Sequence, residues 1–520
     1  MMTYKRATLL VVFSLASAAA LADDDDSDRH DKGRDCGALS GRSLGGAMIS
    51  AATVVPASAA LAAHCKVIGL IAPQLNFEMR LPNHWNHKLH YGGGGGYNGS
   101  VPPVDAPALN AGYAQVSSDS GHQANGLDAS FALNDPLAAR LFGSDSVPTV
   151  MGAATEIVRF HYGSRARRAY FEGCSNGGRE ALINVQRHPT LFDGVISRAP
   201  AYNWVGLMGA FNRTAKALAA PGGAISTAKI ATLASAVRAA CDGLDGVVDG
   251  VVSNPAACHF DPKTLRCPAG ADTGDSCLSD AQLTAVASWT SPVSFAGATY
   301  SNTGWPLTGN EDAPGAWDFW TTGTPVLGGL SLQFLFQDTT VKNYLARNPA
   351  ANSLTYDFDS NIGALSAMAA LNDATNPNLH PFLAAGGKLI LWHGGNDSAL
   401  SVKSTTAYYQ RVVAAMGGQS NTDQFVRFYT APGVNHCAGG PGADTADLLS
   451  ALDRWVSRRH EPKTLKARKV DANGATVLSR PLCVYPEYPR YRGKGDPNLA
   501  SSFKCTELDE PVGFTSEPRD

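Results

Sequence analysis

The sequence predicts an α/β fold, a largely parallel sheet covered by helices on both faces and interrupted by one large insertion. Three observations predict it. Short apolar runs alternate with segments of helical spacing on both sides of the chain's middle, and that alternation is lost between about residues 202 and 381. A serine bracketed by glycines also sits where a strand gives way to a helix.

Taken in order, Lys5 and Arg6 form a positive n-region, Ala7 to Ala20 an apolar stretch, and Ala20-Leu21-Ala22 a small-residue cleavage site. Residues 1–22 are therefore expected to be an export signal, and the mature protein to be secreted or periplasmic. The apolar run is too short to span a bilayer, and no later run reaches the length of a membrane helix, so no membrane partner is expected. Asp23 to Asp26 and the polar stretch to Asp35 have the character of a solvated N-terminal tail. Lys88 to Tyr91 is a short strand running into five glycines, Gly92 to Gly96. So many glycines make a loop whose backbone approaches something closely.

Arg168 to Glu172 is the next strand, Asn176 to His188 a helix with apolar positions at Ala181, Leu182 and Val185, and Gly194 to Ser197 a strand ending at Pro200. On the far side, Gly387 to His393 is a buried-type strand, Thr405 to Met416 a helix, Phe425 to Thr430 a strand, and Ala443 to Arg459 a helix. Between them, Gly, Pro, Thr, Asn, four cysteines and Trp305, Trp317 and Trp320 accumulate. A length of 520 residues would suit three units of about 150 residues. One fold with a large insertion accounts for it better: a catalytic domain over 36–201 and 382–510, with an inserted lid over 202–381. Charge is balanced, with Lys+Arg 42 against Asp+Glu 45 and a net of −3, which argues against a nucleic-acid partner. The oligomeric state is left open.

The chemistry centres on Gly173-Cys174-Ser175-Asn176-Gly177, a match to the nucleophile elbow G-x-S-x-G. With 53 glycines the chain should produce about 0.4 such matches by chance, and Gly41-Arg42-Ser43-Leu44-Gly45 is a second one. Context separates them. Ser175 has a strand entering and a helix leaving, whereas Ser43 precedes every strand recognised above. A serine hydroxyl needs a base, and that base needs a carboxylate to hold its tautomer. In this architecture the chain order is Ser, acid, His, each on a loop after a strand. Asp397 in His393-Gly-Gly-Asn-Asp397 and His436 in Pro432-Gly-Val-Asn-His436-Cys437 occupy those places. Donors for a developing oxyanion would be the N–H of Asn176 and one from the Gly92 to Gly96 loop.

Ten cysteines, an even number, agree with an oxidising compartment. About 945 pairings are possible. Spacing clusters Cys36 with Cys65, Cys241 with Cys258, Cys267 with Cys277 and Cys483 with Cys505, and leaves Cys174 and Cys437, which flank the nucleophile and the base. No C-x-x-C pair occurs, which argues against zinc held by thiolates. Cys241-Asp-Gly-Leu-Asp-Gly-Val-Val-Asp-Gly-Val251 sets Asp242, Asp245 and Asp249 among glycines. Together with the Val247 and Val251 carbonyls these hard ligands suit Ca²⁺, although a run of Asp-Gly turns would have the same composition.

GCSNGGRE (Gly173 to Glu180), CDGLDGVVDG (Cys241 to Gly250) and NHCAGGPG (Asn435 to Gly442) together resemble the tannase and feruloyl esterase family of secreted α/β-hydrolases, over about Cys36 to Cys505. The resemblance implies five disulfides in the grouping above, with Cys174–Cys437 joining the nucleophile and base loops. It implies a lid holding structural Ca²⁺ at Asp242, Asp245, Val247, Asp249 and Val251. It implies Gly96 and Asn176 as oxyanion donors, with Gly95 beside the substrate. One branch hydrolyses mono-hydroxyethyl terephthalate. His393 matches a substrate-pocket histidine of that branch, but Leu400 stands where the branch has phenylalanine and Asn176 where it has glutamate. The stretch Trp317 to Asp338 holds no arginine to pair with a terephthalate carboxylate. The expected partner is a small aromatic ester, with a phenolic acyl group recognised by lid aromatics such as Trp317 and Trp320. The expected activity is a serine carboxylesterase. Two rivals are an inactive calcium-stabilised binding protein and an enzyme passing its acyl group to an alcohol.

Overall fold

The structure, a computed structural model, describes residues 33–508. The proposed export signal, the first part of the polar tail and the last two residues of the catalytic segment lie outside them. Ten strands form one mixed sheet in the order β1-β2-β3-β4-β6-β5-β7-β8-β11-β12. The strands are β1 (Ser43–Leu44), β2 (Ala47–Val55), β3 (His64–Ile71), β4 (Leu75–Pro82), β5 (Lys88–Gly92), β6 (Ala114–Ser118), β7 (Arg168–Ser175), β8 (Gly194–Pro200), β11 (Lys388–Gly394) and β12 (Val426–Ala431). A lid hairpin of β9 (Val293–Phe295) and β10 (Tyr300–Asn302) comes between the two halves in sequence.

From β6 to β12 the sheet is parallel, as predicted. The β1 to β4 half is antiparallel and joins through β4 against β6. Ser43 therefore does lie on a strand, correcting the expectation that it precedes the sheet. It is exposed on the edge, six strands from β7. At a strand spacing of about 4.8 Å that is roughly 29 Å from the elbow, too far to share its chemistry.

Alternation along the parallel strands decides what each face buries. Tyr91 and Phe171 point with Leu182 and Val185 of the helix Asn176–Arg187 into one core. Tyr170, Ile196 and Trp392 point the other way, beneath Leu452 and Trp455. A third core belongs to the insertion, where Trp204, Phe211, Trp289, Trp305 and Trp317 pack together. The inserted chain leaves the sheet after Pro200 and closes on itself where the Ala374 N–H donates to the Tyr202 carbonyl at 2.7 Å. Ala374, Leu379 and Phe382 then pack with the sheet. These three apolar side chains, two of them within the segment 202–381 assigned to the insertion, are thus buried in the sheet's core.

The helices used below are α1 (Ala106–Asn110), α2 (Ser146–Tyr162), α3 (Asn176–Arg187), α4 (Trp204–Ala219), α5 (Thr227–Cys241), α6 (Asp280–Thr290) and α7 (Leu332–Thr340), followed by α8 (Val402–Ala415) and α9 (Leu448–Arg458). Two more antiparallel pairs, β13 (Leu465–Val470) with β14 (Thr476–Leu482) and β15 (Glu487–Tyr491) with β16 (Phe503–Glu507), finish the chain. The five disulfides pair as the resemblance implied. Among the described residues no helix is long and apolar enough to cross a membrane.

Candidate active site

β7 ends at Ser175, whose backbone has φ 65° and ψ −121° before α3 begins at Asn176. A non-glycine residue pays for a positive φ, and here the turn is held by close approach on every side. A Cβ on Gly173 would meet the Gly177 carbonyl at 2.6 Å, one on Gly177 would meet the Gly94 oxygen at 2.9 Å, and one on Gly178 the Arg198 oxygen at 2.3 Å. Only glycine lets strand, helix and neighbouring loop come together here. Ser175 is half-buried, and its hydroxyl has no hydrogen-bond partner among the described residues.

Asp397 follows β11 and is fully buried. His436 follows β12 and donates from Nδ1 to Asp397 Oδ2 at 2.8 Å. This bond leaves Nε2 as the free nitrogen of the imidazole, the one a base must present. The N–H groups of Ala399 and Leu400 donate to Asp397 Oδ1 at 2.9 and 2.8 Å. Burial alone would raise the Asp397 pKa, but His436 and His393 outweigh it and hold the carboxyl well below the usual range. The acid is thus ionised at any working pH. The base loop is tied to the elbow by Cys174–Cys437, with Cα atoms 6.0 Å apart across 263 residues of chain.

His393 is not a pocket residue. It is wholly buried behind the acid, with Nε2 2.9 Å from the Leu400 carbonyl and 3.2 Å from Asp397 Oδ2, and Nδ1 2.9 Å from Thr405 Oγ1. Two acceptors at Nε2 require the proton there, so Nδ1 accepts from the threonine. The strand alternation that carries His393 inward made it a second support for Asp397. Trp317 is corrected likewise. It packs at 4.7 Å against Trp289 in the lid core and is 1 % exposed, because its place after the buried Ala316 turns it away from the site.

Trp320, three residues on, does reach the site. Its ring stands edge-on to His436 at 5.0 Å and stacks on Phe336 at 6.2 Å. Ser175, Gly96, Asn176, Trp320, Phe336, Ala399 and Leu400 line one narrow pocket, closed by Trp204, Leu207, Met208 and Phe211 of α4. No charged side chain lines it. Gly95 stands outside on the exposed turn, where a Cβ would meet nothing. The Gly96 N–H has no acceptor among the described residues, and Asn176 is the first residue of α3, whose N–H has no place in the helix ladder. Gly96 has φ 56°, and a Cβ there would strike the Gly126 oxygen at 2.5 Å. A larger cavity of about 480 Å³ lies behind the histidine loop, between Phe260, Trp305, Pro432 and Tyr488, and includes none of Ser175, Asp397 and His436 in its lining.

Several supporting residues escaped the sequence reading. Glu180 accepts from the Gly94 N–H at 3.0 Å and from Ser120 Oγ at 3.3 Å, fixing the glycine loop to α3. Burial raises its pKa, an effect opposed by neighbouring Arg179. Arg179 is brought down to about 10 by burial and remains charged. It donates to Asn176 Oδ1 at 2.8 Å and to the Gly143 and Phe142 carbonyls at 2.7 and 2.8 Å. Asn396 Nδ2 donates to the Asn310 carbonyl at 3.0 Å and to Asn435 Oδ1 at 2.6 Å, and Asn310 Nδ2 donates to the Gly250 carbonyl at 2.9 Å. The signal for Asn396 and Asn435 is that each directly precedes a member of the triad.

That chain of amides ends on the aspartate loop of the lid. Asp242 accepts from the Asp249 and Gly250 N–H groups at 3.3 and 2.9 Å, Asp245 from Val247 at 3.1 Å, and Asp249 from Val251 at 3.1 Å. Asp245 Oδ2 is buried with no partner, and burial pushes its pKa up to about 6 with Asp249 and Asp242 adding to the rise. An orphaned carboxylate oxygen among like charges is a place a hard cation fits. Asp249 has both oxygens engaged, Oδ1 by the Val251 N–H and Oδ2 by Arg480.

The family described as tannase and feruloyl esterase matches residues 59–506. The chain belongs to that family. It is 34% identical over 527 residues to mono(2-hydroxyethyl) terephthalate hydrolase of Piscinibacter sakaiensis, covering 88% of this chain and 87% of that one. It is 30% identical over 459 residues to a probable feruloyl esterase of Arthroderma benhamiae, covering 82% and 81%. In fold it is similar to feruloyl esterase B from Aspergillus oryzae, with TM-score 0.80 and 23% identity, covering 89% of this chain and 98% of that structure. The tannase and feruloyl esterase chain described here is accordingly a carboxylic ester hydrolase of the α/β-hydrolase fold.

Proposed function

We propose that the protein is a secreted serine esterase of phenolic-acid esters, working through an acyl-enzyme. The observation that carries this reading is the Asp397–His436 hydrogen bond beside an elbow serine in a pocket of aromatic and aliphatic walls. His436 Nε2 takes the Ser175 proton as Oγ attacks the ester carbonyl. The oxyanion is held by the Gly96 and Asn176 N–H groups, and the protonated imidazole gives its proton to the departing alcohol. Water, deprotonated by the same nitrogen, then releases the acid. The loop of Asp242, Asp245 and Asp249, with the Val247 and Val251 carbonyls, would hold Ca²⁺, whose part is to brace the lid.

Trp320 and Phe336 offer flat faces for a cinnamoyl-type ring, and the walls offer no cation for a second carboxylate. We therefore place ferulate and coumarate esters ahead of mono-hydroxyethyl terephthalate, and ahead of gallate, whose three hydroxyls would be buried without partners. A hydrolysis panel of methyl ferulate, methyl gallate and mono-hydroxyethyl terephthalate tests the order, and a fluorophosphonate tests the nucleophile. Methyl ferulate should be cleaved fastest and Ser175 labelled. No adduct on folded protein would sink the serine mechanism, and dominant terephthalate-ester cleavage would sink the pocket assignment. A competing alcohol in the same assay exposes acyl transfer.

A further inference from the structure

We infer that His90, Asp105 and Glu172 form a metal site for Zn²⁺, separate from the lid loop, beneath the two strands that feed the catalytic loops. His90 lies on β5, Glu172 on β7, and Asp105 caps α1, accepting from the Ala108 N–H at 2.9 Å. One ligand atom from each lies within 4.8 Å of the other two. His90 is 1 % exposed, and neither ring nitrogen has a hydrogen-bond partner among the described residues. A buried imidazole with neither nitrogen hydrogen-bonded is unfavourable, and Nε2 points toward Glu172 Oε2 at 3.9 Å.

The donor set selects the ion. Glu172 Oε1 is paired with Arg198 at 2.8 Å, which leaves Oε2 for a ligand, and Asp105 Oδ1 is occupied by the cap, which leaves Oδ2. One imidazole and two single carboxylate oxygens make a mixed set of three, with room for water as a fourth ligand. The imidazole nitrogen selects Zn²⁺ over Ca²⁺ and Mg²⁺, which are hard cations served by oxygen ligands. Asp105 and Glu172 are half-buried, so the ion has a way in.

The site's position gives it a use. His90 is two residues before the Gly92 to Gly96 loop, and Glu172 is three before Ser175, with Gly92 paired in register to Glu172. An ion held by both strands would clamp the oxyanion loop to the elbow from the face opposite α3.

The full chain, stripped with a chelator and returned to excess calcium, should be titrated with zinc chloride by calorimetry. One equivalent of zinc is expected. His90→Gln and Glu172→Gln should weaken it by at least about 100-fold, while Asp245→Asn in the lid should leave it in place. With Co²⁺ instead, the wild type should show visible d–d absorption that His90→Gln abolishes. Should His90→Gln not fold by circular dichroism, Asp105→Asn, which keeps the capping oxygen, carries the same expectation. Zinc uptake absent in the wild type, or unchanged in the folded variants, would overturn the site.

Discussion

Four groups converge on Asp397, namely His436, His393 and the N–H groups of Ala399 and Leu400, and they divide three tasks between them. The two backbone donors fold the chain so that Ala399 and Leu400 become pocket wall. His436 is the base of the proposed mechanism. His393 fixes the second lobe of Oδ2 from a site substrate never reaches. His393→Phe should therefore lower kcat by about 10- to 100-fold, the worth of one charge-assisted hydrogen bond, and leave KM within twofold. Steady-state kinetics on methyl ferulate would check it. A change confined to KM would return His393 to the pocket where the resemblance put it. That error has a physical origin: spacing along the chain tells how near a residue lies to Asp397, but not whether the strand's alternation turns it toward substrate or toward the back of the acid.

Between elements, two links hold the site together. The Cys174–Cys437 bond joins loops that follow β7 and β12, and the two cysteines were legible as the pair left over by spacing. Replacing both by serine should leave the fold in place and cut kcat/KM by about 100-fold, since misplacing base and nucleophile by an ångström costs that much. Far-ultraviolet circular dichroism with ester kinetics would separate this from unfolding. The second link is the lid neck, where Asp373 accepts from the Val205 N–H at 3.1 Å at the start of α4. Burial outweighs this bond and raises the Asp373 pKa to about 7. A carboxyl whose folded pKa lies above its unfolded value stabilises at low pH and loses that contribution as pH rises through the folded pKa. Stability should therefore decline between about pH 4 and pH 7, by about 4 kcal/mol at most from this group. Asp373→Asn, which keeps the acceptor, should flatten that decline in denaturant titrations at pH 5 and pH 8.

At the scale of the molecule, the parallel half of the sheet was legible because β5, β7, β8, β11 and β12 are compact apolar runs bounded by turn residues. The antiparallel half was not. β2 breaks its alternation at a bulge between Ile49 and Ala51, and its exposed residues Met48, Ser50, Thr53 and Val54 include two apolar ones, which blurs the period-2 signal. β4 does alternate, with Leu75, Phe77, Met79 and Leu81 all inward, but only its pairing with β6 reveals that the sheet continues past the parallel strands. The Asp397–His436 pair was legible from two loops after strands in a required order, whereas the amide chain Gly250–Asn310–Asn396–Asn435 was not, since it joins partners far apart in sequence. Through this chain the proposed calcium loop should act on catalysis as well as on stability. Removing calcium should let Asp242, Asp245 and Asp249 repel one another, lower the melting temperature by about 2 to 5 °C and loosen Asn310, so that kcat falls with KM little changed. Calcium should restore both, and magnesium, which demands a tighter octahedron, should not. Asn310→Ala separates the two effects: it should reproduce the loss in kcat while the melting temperature still responds to calcium. A chelator that alters neither quantity would mean that the loop is a set of Asp-Gly turns and that the lid stands on its disulfides and its tryptophan core.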